Sequence, residues 1–185
     1  MTRRRPSLAK GLLAGLAAGI AATLVMDQFL NLVSKTEEVY EKQRKLGEGE
    51  SSWEIAHEQI LEQEQAAKSE NSTEKLARRL AQATGNNLPR NQRKTAGQAV
   101  HYTFGTLMGL VYSAAAEWLP EVTTGGGTAF GILLFLAADE VAVPAFKLGP
   151  PPTQDSAGNQ FEHGAAHAVY GATLELSRNL VRRML

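Results

Sequence analysis

His163-Gly-Ala-Ala-His167 sets two imidazoles one helical turn apart, and Asp27, His101, Asp139 and Glu140 add further titratable groups inside largely apolar sequence. Three kinds of chemistry compete for such residues. They can be structural, buried polar groups satisfying one another between helices. They can hold a metal, with His101, Asp139, His163 and His167 as a tetrahedral set for zinc. They can handle protons, because an imidazole titrates between about pH 5 and 8 and a neighbouring carboxylate moves that value. His163-x3-His167 alone does not specify a metal, and the glutamate that follows the first histidine of an HExxH zinc enzyme is Gly164 here. Glu54-x-x-His57 has di-iron carboxylate spacing but occurs once, within a Glu-rich stretch, where such a site needs two copies and two further glutamates. There is no GxGxxG, P-loop or GxSxG, and Gly125-Gly126-Gly127 reads as a turn. No catalytic set is identified and no cofactor is implied. With no cysteine in 185 residues, disulfides, thiol chemistry and Cys-bound metals are excluded.

The elements that must position these residues are apolar segments. Arg3, Arg4, Arg5 and Lys10 precede an uncharged run from Gly11 to Met26 that continues past Asp27 to Val33. An apolar stretch of about 23 residues suits a bilayer core of roughly 30 Å at about 1.5 Å per residue. Its length favours a retained transmembrane helix over a cleaved signal peptide. Three further segments follow, at about 96–119, 124–146 and 162–180, separated by Pro120 with the glycine triplet and by Pro150-Pro151-Pro152. The expected fold is an all-α polytopic membrane protein of four transmembrane helices. It divides into a basic flank with helix 1 (1–34), a polar helical arm (35–95) and helices 2–4 with a basic tail (96–185).

Small residues recur at four-residue intervals on every segment: Gly11, Gly15 and Gly19; Gly105 and Gly109; Gly127 and Gly131; Gly164 with Ala168 and Ala172. Hydrocarbon gives no hydrophobic drive for helix association, so close backbone approach through small side chains supplies the contact. Such stripes serve packing within one chain and in a homo-oligomer equally. A soluble Ala/Gly-rich bundle, or a peripheral helical interaction module, is the competing reading. The arm carries 11 Lys/Arg and 11 Glu over 35–94. Ser51-Ser52-Trp53-Glu54 reads as a capping box opening a helix with Trp53, Ala56, Ile60 and Ala67 on one stripe. A second helix starts near Asn71-Ser72-Thr73-Glu74, carries Leu76 and Leu80, and stops at Gly85. The overall balance of 19 basic against 19 acidic residues argues against a nucleic-acid partner, leaving the lipid bilayer as the expected one.

Helices of alternating direction bring Asp27, His101, Asp139, Glu140, His163 and His167 near one membrane face. Glu117 and Glu175 fall near the other, where Glu175 can meet Arg178. Charged residues in membrane spans are costly and pair with one another or line a cavity, so the first group is the candidate functional belt. Val111-Tyr112-x4-Glu117 is echoed by Val169-Tyr170-x4-Glu175, so Tyr112 and Tyr170 stand on the histidine-bearing faces of helices 2 and 4. Arg3, Arg4, Arg5, Lys10, Arg178, Arg182 and Arg183 favour cytoplasmic termini, with Arg90, Arg93 and Lys94 running against that rule.

Ala96-Gly97-x-x-Val100-His101-Tyr102-x-Phe104-Gly105, Gly109-x-x-Tyr112, Gly131, Ala138-Asp139-Glu140-Val141-Ala142-Val143-Pro144-Ala145 and His167-x-Val169-Tyr170-Gly171 resemble the YagU-like family, bacterial inner-membrane proteins defined as a domain of unknown function. The resemblance covers residues 71–183 well and the first helix loosely; the arm at 35–70 is less typical of the family. It implies an inner-membrane location, with no assigned activity or cofactor.

Overall fold

A computed structural model describes residues 6–185, and for residues 66 and 67 the backbone alone. Arg3, Arg4 and Arg5 lie outside the described residues. The chain is all helical: α1 (Leu8–Gly47), α2 (Ser52–Lys68), α3 (Ser72–Ala83), α4 (Arg90–Ala115), α5 (Thr128–Phe135), α6 (Val143–Ala145) and α7 (Ala157–Met184). A 3₁₀ segment, Pro120–Gly127, leads into α5, and a π-helical segment, Leu136–Ala142, joins α5 to α6. The polar stretch after the first apolar run continues α1 as one helix of 40 residues.

Among the described residues, two stretches are long and apolar enough to cross a membrane, Leu8–Gly47 and Pro120–Ala145, where the sequence led to an expectation of four. The reason lies in composition. α4 carries no charge from Thr95 to Ala115 but is thinned by Gln98, His101, Tyr102, Thr103, Thr106 and Ser113, and α7 carries Glu162, Glu175, Arg178, Arg182 and Arg183.

α1 is the hub. Its buried positions are Gly11, Ala14, Gly15, Ala18, Gly19, Ala22, Thr23 and Met26, one continuous helical face made almost wholly of small residues. The glycines meet α4, antiparallel to α1. A Cβ on Gly15 would lie 2.6 Å from the Gly109 carbonyl oxygen, and one on Gly109 would lie 2.6 Å from Gly19 Cα. The alanine side meets α7: Ala18, Ala22 and Met26 share a cluster with Ala166, Tyr170 and Leu174, which Tyr112 of α4 completes. α5 packs chiefly against α7, through Gly127 and Gly131, and sets Phe130 against the Tyr112 ring of α4 at 4.8 Å. A Cβ on Gly131 would stand 2.0 Å from the His167 carbonyl oxygen. The facing glycine of α7 is Gly171, whereas Ala172 is exposed and Gly164 meets only the Phe135 ring, at 3.7 Å. The fourth small-residue stripe therefore runs one position away from the one read in the sequence.

The opposite faces are large and apolar. Leu13, Leu16, Ile20 and Leu24 of α1, and Ile132, Leu133 and Leu136 at the α5 level, are exposed. Small side chains inward and large ones outward invert the pattern of a water-soluble helix, which buries its leucines.

The arm folds back on the N-terminal end of α4. Ser51 and Glu54 form the reciprocal capping box, with Ser51 N–H donating to Glu54 at 2.9 Å and Glu54 N–H to Ser51 Oγ at 3.3 Å. Asn71 caps α3 by accepting from Glu74 N–H at 2.8 Å. Both apolar stripes expected here are misplaced: Trp53 and Ile60 are exposed while Ile55 is buried, and on α3 Ala77 is buried while Leu80 is exposed. Local spacing identifies the helices but cannot say which neighbour they meet. Glu70 fastens the arm, accepting from Arg78 at 3.1 Å and from Arg93 of α4 at 2.6 Å. Partial burial would raise its carboxyl pKa, but the hydrogen bonds and charges of these two guanidiniums outweigh that and hold it below the usual range.

Candidate functional site

Two polar groupings occupy opposite ends of the bundle. At the end nearer the arm, Asp27 of α1 faces His101 of α4, with Nε2 to the carboxylate at 3.0 Å. A carboxylate only accepts, so this nitrogen carries the hydrogen. The residues lie one helical turn past the last glycine contacts of the α1–α4 seam, which fixes their separation.

One helix further on, Asp139 stands between His163 and His167, its carboxylate 3.8 Å from Nδ1 of each. That is ion-pair distance without a direct hydrogen bond. His167 Nδ1 lies 2.9 Å from the His163 carbonyl oxygen, to which it must donate. The three side chains form a gradient of access: His163 is 51% exposed, Asp139 33% and His167 9%. Phe135 lies against the inner ring at 5.6 Å. Asp139 reaches this position because it rides on the π-helical segment. Pro144, five residues on, has no N–H to return to the Asp139 or Glu140 carbonyls, and a widened turn is the usual accommodation of such a gap. Pro144 is the one sequence signal for it.

The structure thus brings Asp27 to His101, and Asp139 to His163 and His167, at one end of the bundle. Glu140 follows Asp139 on the π segment, and no hydrogen bond or ion pair of its side chain is seen among the described residues. It does not assemble the metal set. Among the described residues no three His, Asp or Glu side chains gather as a metal-binding group, and a hydrogen bond already engages His167 Nδ1.

At the other end Glu117 accepts both Nε and Nη2 of Arg182 at 2.6 Å and also the Ser7 N–H at 2.8 Å. Glu175 holds Arg178 through two bonds of 2.8 Å and accepts from Tyr112 Oη at 2.8 Å and from Asn179 at 2.8 Å. Tyr170, the counterpart of Tyr112, donates instead to the Gly105 carbonyl at 2.5 Å. The echo between helices 2 and 4 is therefore not an echo of partners. Arg178 and Arg182 are buried, and their charges are spent inside the bundle. They do not act as flanking charges in the orientation rule; of the basic residues read at that end, the described ones left outside are Lys10 and Arg183. Glu117 and Arg182 are 65 positions apart, and no local pattern pairs them.

These features define an all-α protein packed on small-residue seams, with carboxylate–imidazole pairs at one end and closed Glu–Arg pairs at the other. The chain belongs to DUF1440, a family of proteins of unknown function, whose family model matches residues 73–176. That range contains α3 to most of α7, including His101, Asp139, His163 and His167. No curated protein and no solved structure matches the chain.

Proposed function

We propose that this is a YagU-like protein of the bacterial inner membrane, crossing the bilayer four times with both termini cytoplasmic, and that its belt of carboxylate–imidazole pairs is a proton-responsive site at one membrane face. The naming is supported by the HYxFG, ADEVAVP and HxVYG stretches, which fall inside the matched segment. In this reading residues 1–34 and 96–185 form the membrane part and 35–95 the arm. The outward large apolar faces of α1 and α5 support the membrane reading. α4 and α7 cross with them because α4 carries no charge from Thr95 to Ala115, and Glu175, Arg178 and Arg182 of α7 are paired within the bundle.

The observation that carries the proton role is one carboxylate shared by an exposed and a buried imidazole. A proton arriving at His163 has Asp139 as counter-ion, and the same carboxylate stands ready for His167 without moving to another site. The Asp27–His101 pair supplies a second acid–base couple at the same end. Such a site belongs with a response to envelope or acid stress.

The test is a growth or reporter assay across external pH in cells carrying the Asp139→Asn variant. The expected outcome is loss of the acid-pH response with normal protein level in the membrane. A response indistinguishable from the parent chain would refute the proton role.

A further inference from the structure

The glycine seams, a usual means of joining two copies, are already occupied within one chain. Gly11, Gly15 and Gly19 face α4, Gly105 and Gly109 face α1, and Gly127 and Gly131 face α7. The distal half of α1 is different. From Asn31 to Gly47 it projects about 25 Å beyond the packed part of the helix, and every position on it except Val33 and Lys45 is exposed. Leu32, Val39 and Leu46 stand seven residues apart at 65%, 57% and 44% exposure. Thr36 and Gln43 fall between them, so the line is spaced as the a and d positions of a heptad, with the apolar residues at d.

We propose that a second copy of this chain covers this line, the two α1 extensions pairing as a short parallel coiled coil. Two observations favour a like copy. First, Glu37, Glu38 and Glu41 all lie at outer heptad positions, so no acidic residue stands on the seam. A parallel in-register pair instead sets Lys35 beside the partner's Tyr40, an ammonium against a phenol ring. Second, the seam is left open by the arm: the contact that ties α2 to α1, Lys45 with Glu58, is on an outer position. Two to three heptads are too few for a stable pair in free solution. Copies held by their membrane spans share one orientation and a raised effective concentration, which lets a short seam suffice. The pairing rests on α1 crossing the membrane, and not on the belt.

The chain has no cysteine, so single-cysteine cross-linking reads the seam directly. Val39 and Glu41 are both exposed, so Val39→Cys and Glu41→Cys should leave folding unchanged. In carbonate-washed membranes and in vesicles of purified full-length protein, mild oxidation should convert the Val39→Cys chain to a product of twice its mass. Glu41→Cys should stay at background, and adding Leu32→Glu to Val39→Cys should abolish the product. Equal cross-linking at both positions, none at position 39, or a product of any other mass overturns the pairing while the span reading stands. A Val39→Cys chain released by carbonate overturns the span reading, and the pairing with it.

Discussion

At the residue scale the two ends of the bundle differ in how their charges are closed. Glu117 and Arg182 are 4% and 8% exposed and meet through two parallel bonds, so each charge depends on the other. Removing one member of a buried pair leaves an unpaired charge and costs about 3–5 kcal/mol, whereas replacing both by apolar side chains of similar size is often neutral. Arg182→Ala should therefore lower the thermal midpoint of the detergent-solubilised protein markedly, and Glu117→Leu with Arg182→Met should recover most of it. An Arg182→Ala protein as stable as the parent would show that Glu117 finds water instead. The belt is unlike this: His163 is half exposed, His167 is buried, and both lie 3.8 Å from the Asp139 carboxylate, without the direct bonds that close the Glu–Arg pairs. Histidines and aspartates inside apolar sequence are conspicuous, so their common level is legible once helix directions alternate. Of the Glu–Arg pairs, Glu175 with Arg178 is legible from its spacing, but Glu117 with Arg182 is not, because an arginine after an apolar run reads as a flanking charge and nothing local reveals a partner 65 residues away.

At the element scale what holds α5 is a backbone contact. Gly127 has φ of 89°, a left-handed conformation that favours glycine, and it delivers the chain to within reach of the Gly171 carbonyl. Gly131 continues the contact one turn later, where any Cβ would overlap the His167 carbonyl. Gly131→Ala should push α5 off α7 at a cost of about 1–3 kcal/mol, the range for overpacking a close contact. Gly47→Ala, with nothing within 4 Å, should be neutral or slightly stabilising. Cysteine accessibility at Phe135, buried under α7 in the parent, reads the displacement; unchanged protection in Gly131→Ala would mean the helices are not seated on this glycine. The four-residue spacing of small side chains is visible in sequence, as are the two capping signals of the arm, because each is local. The burial of Ile55 and Ala77 is not visible, since only the neighbour decides which side of a thin stripe is covered.

At the scale of the whole molecule the question is which solvent the large apolar faces meet. Leu133 is 64% exposed near the middle of the span Pro120–Ala145. In water such a position is indifferent: a lysine there changes stability by no more than about 0.5 kcal/mol and improves solubility. In hydrocarbon the same lysine costs about 2.5–3.5 kcal/mol for insertion of that helix. The two environments therefore give opposite results for one substitution that touches none of the internal contacts. Leu133→Lys should deplete the carbonate-resistant membrane fraction and the protein level, while Leu133→Ala leaves both near the parent value. If Leu133→Lys instead accumulates normally, α5 does not face lipid. The outward leucines of α1 would then need a protein partner, and the common height of the belt residues would lose its membrane meaning.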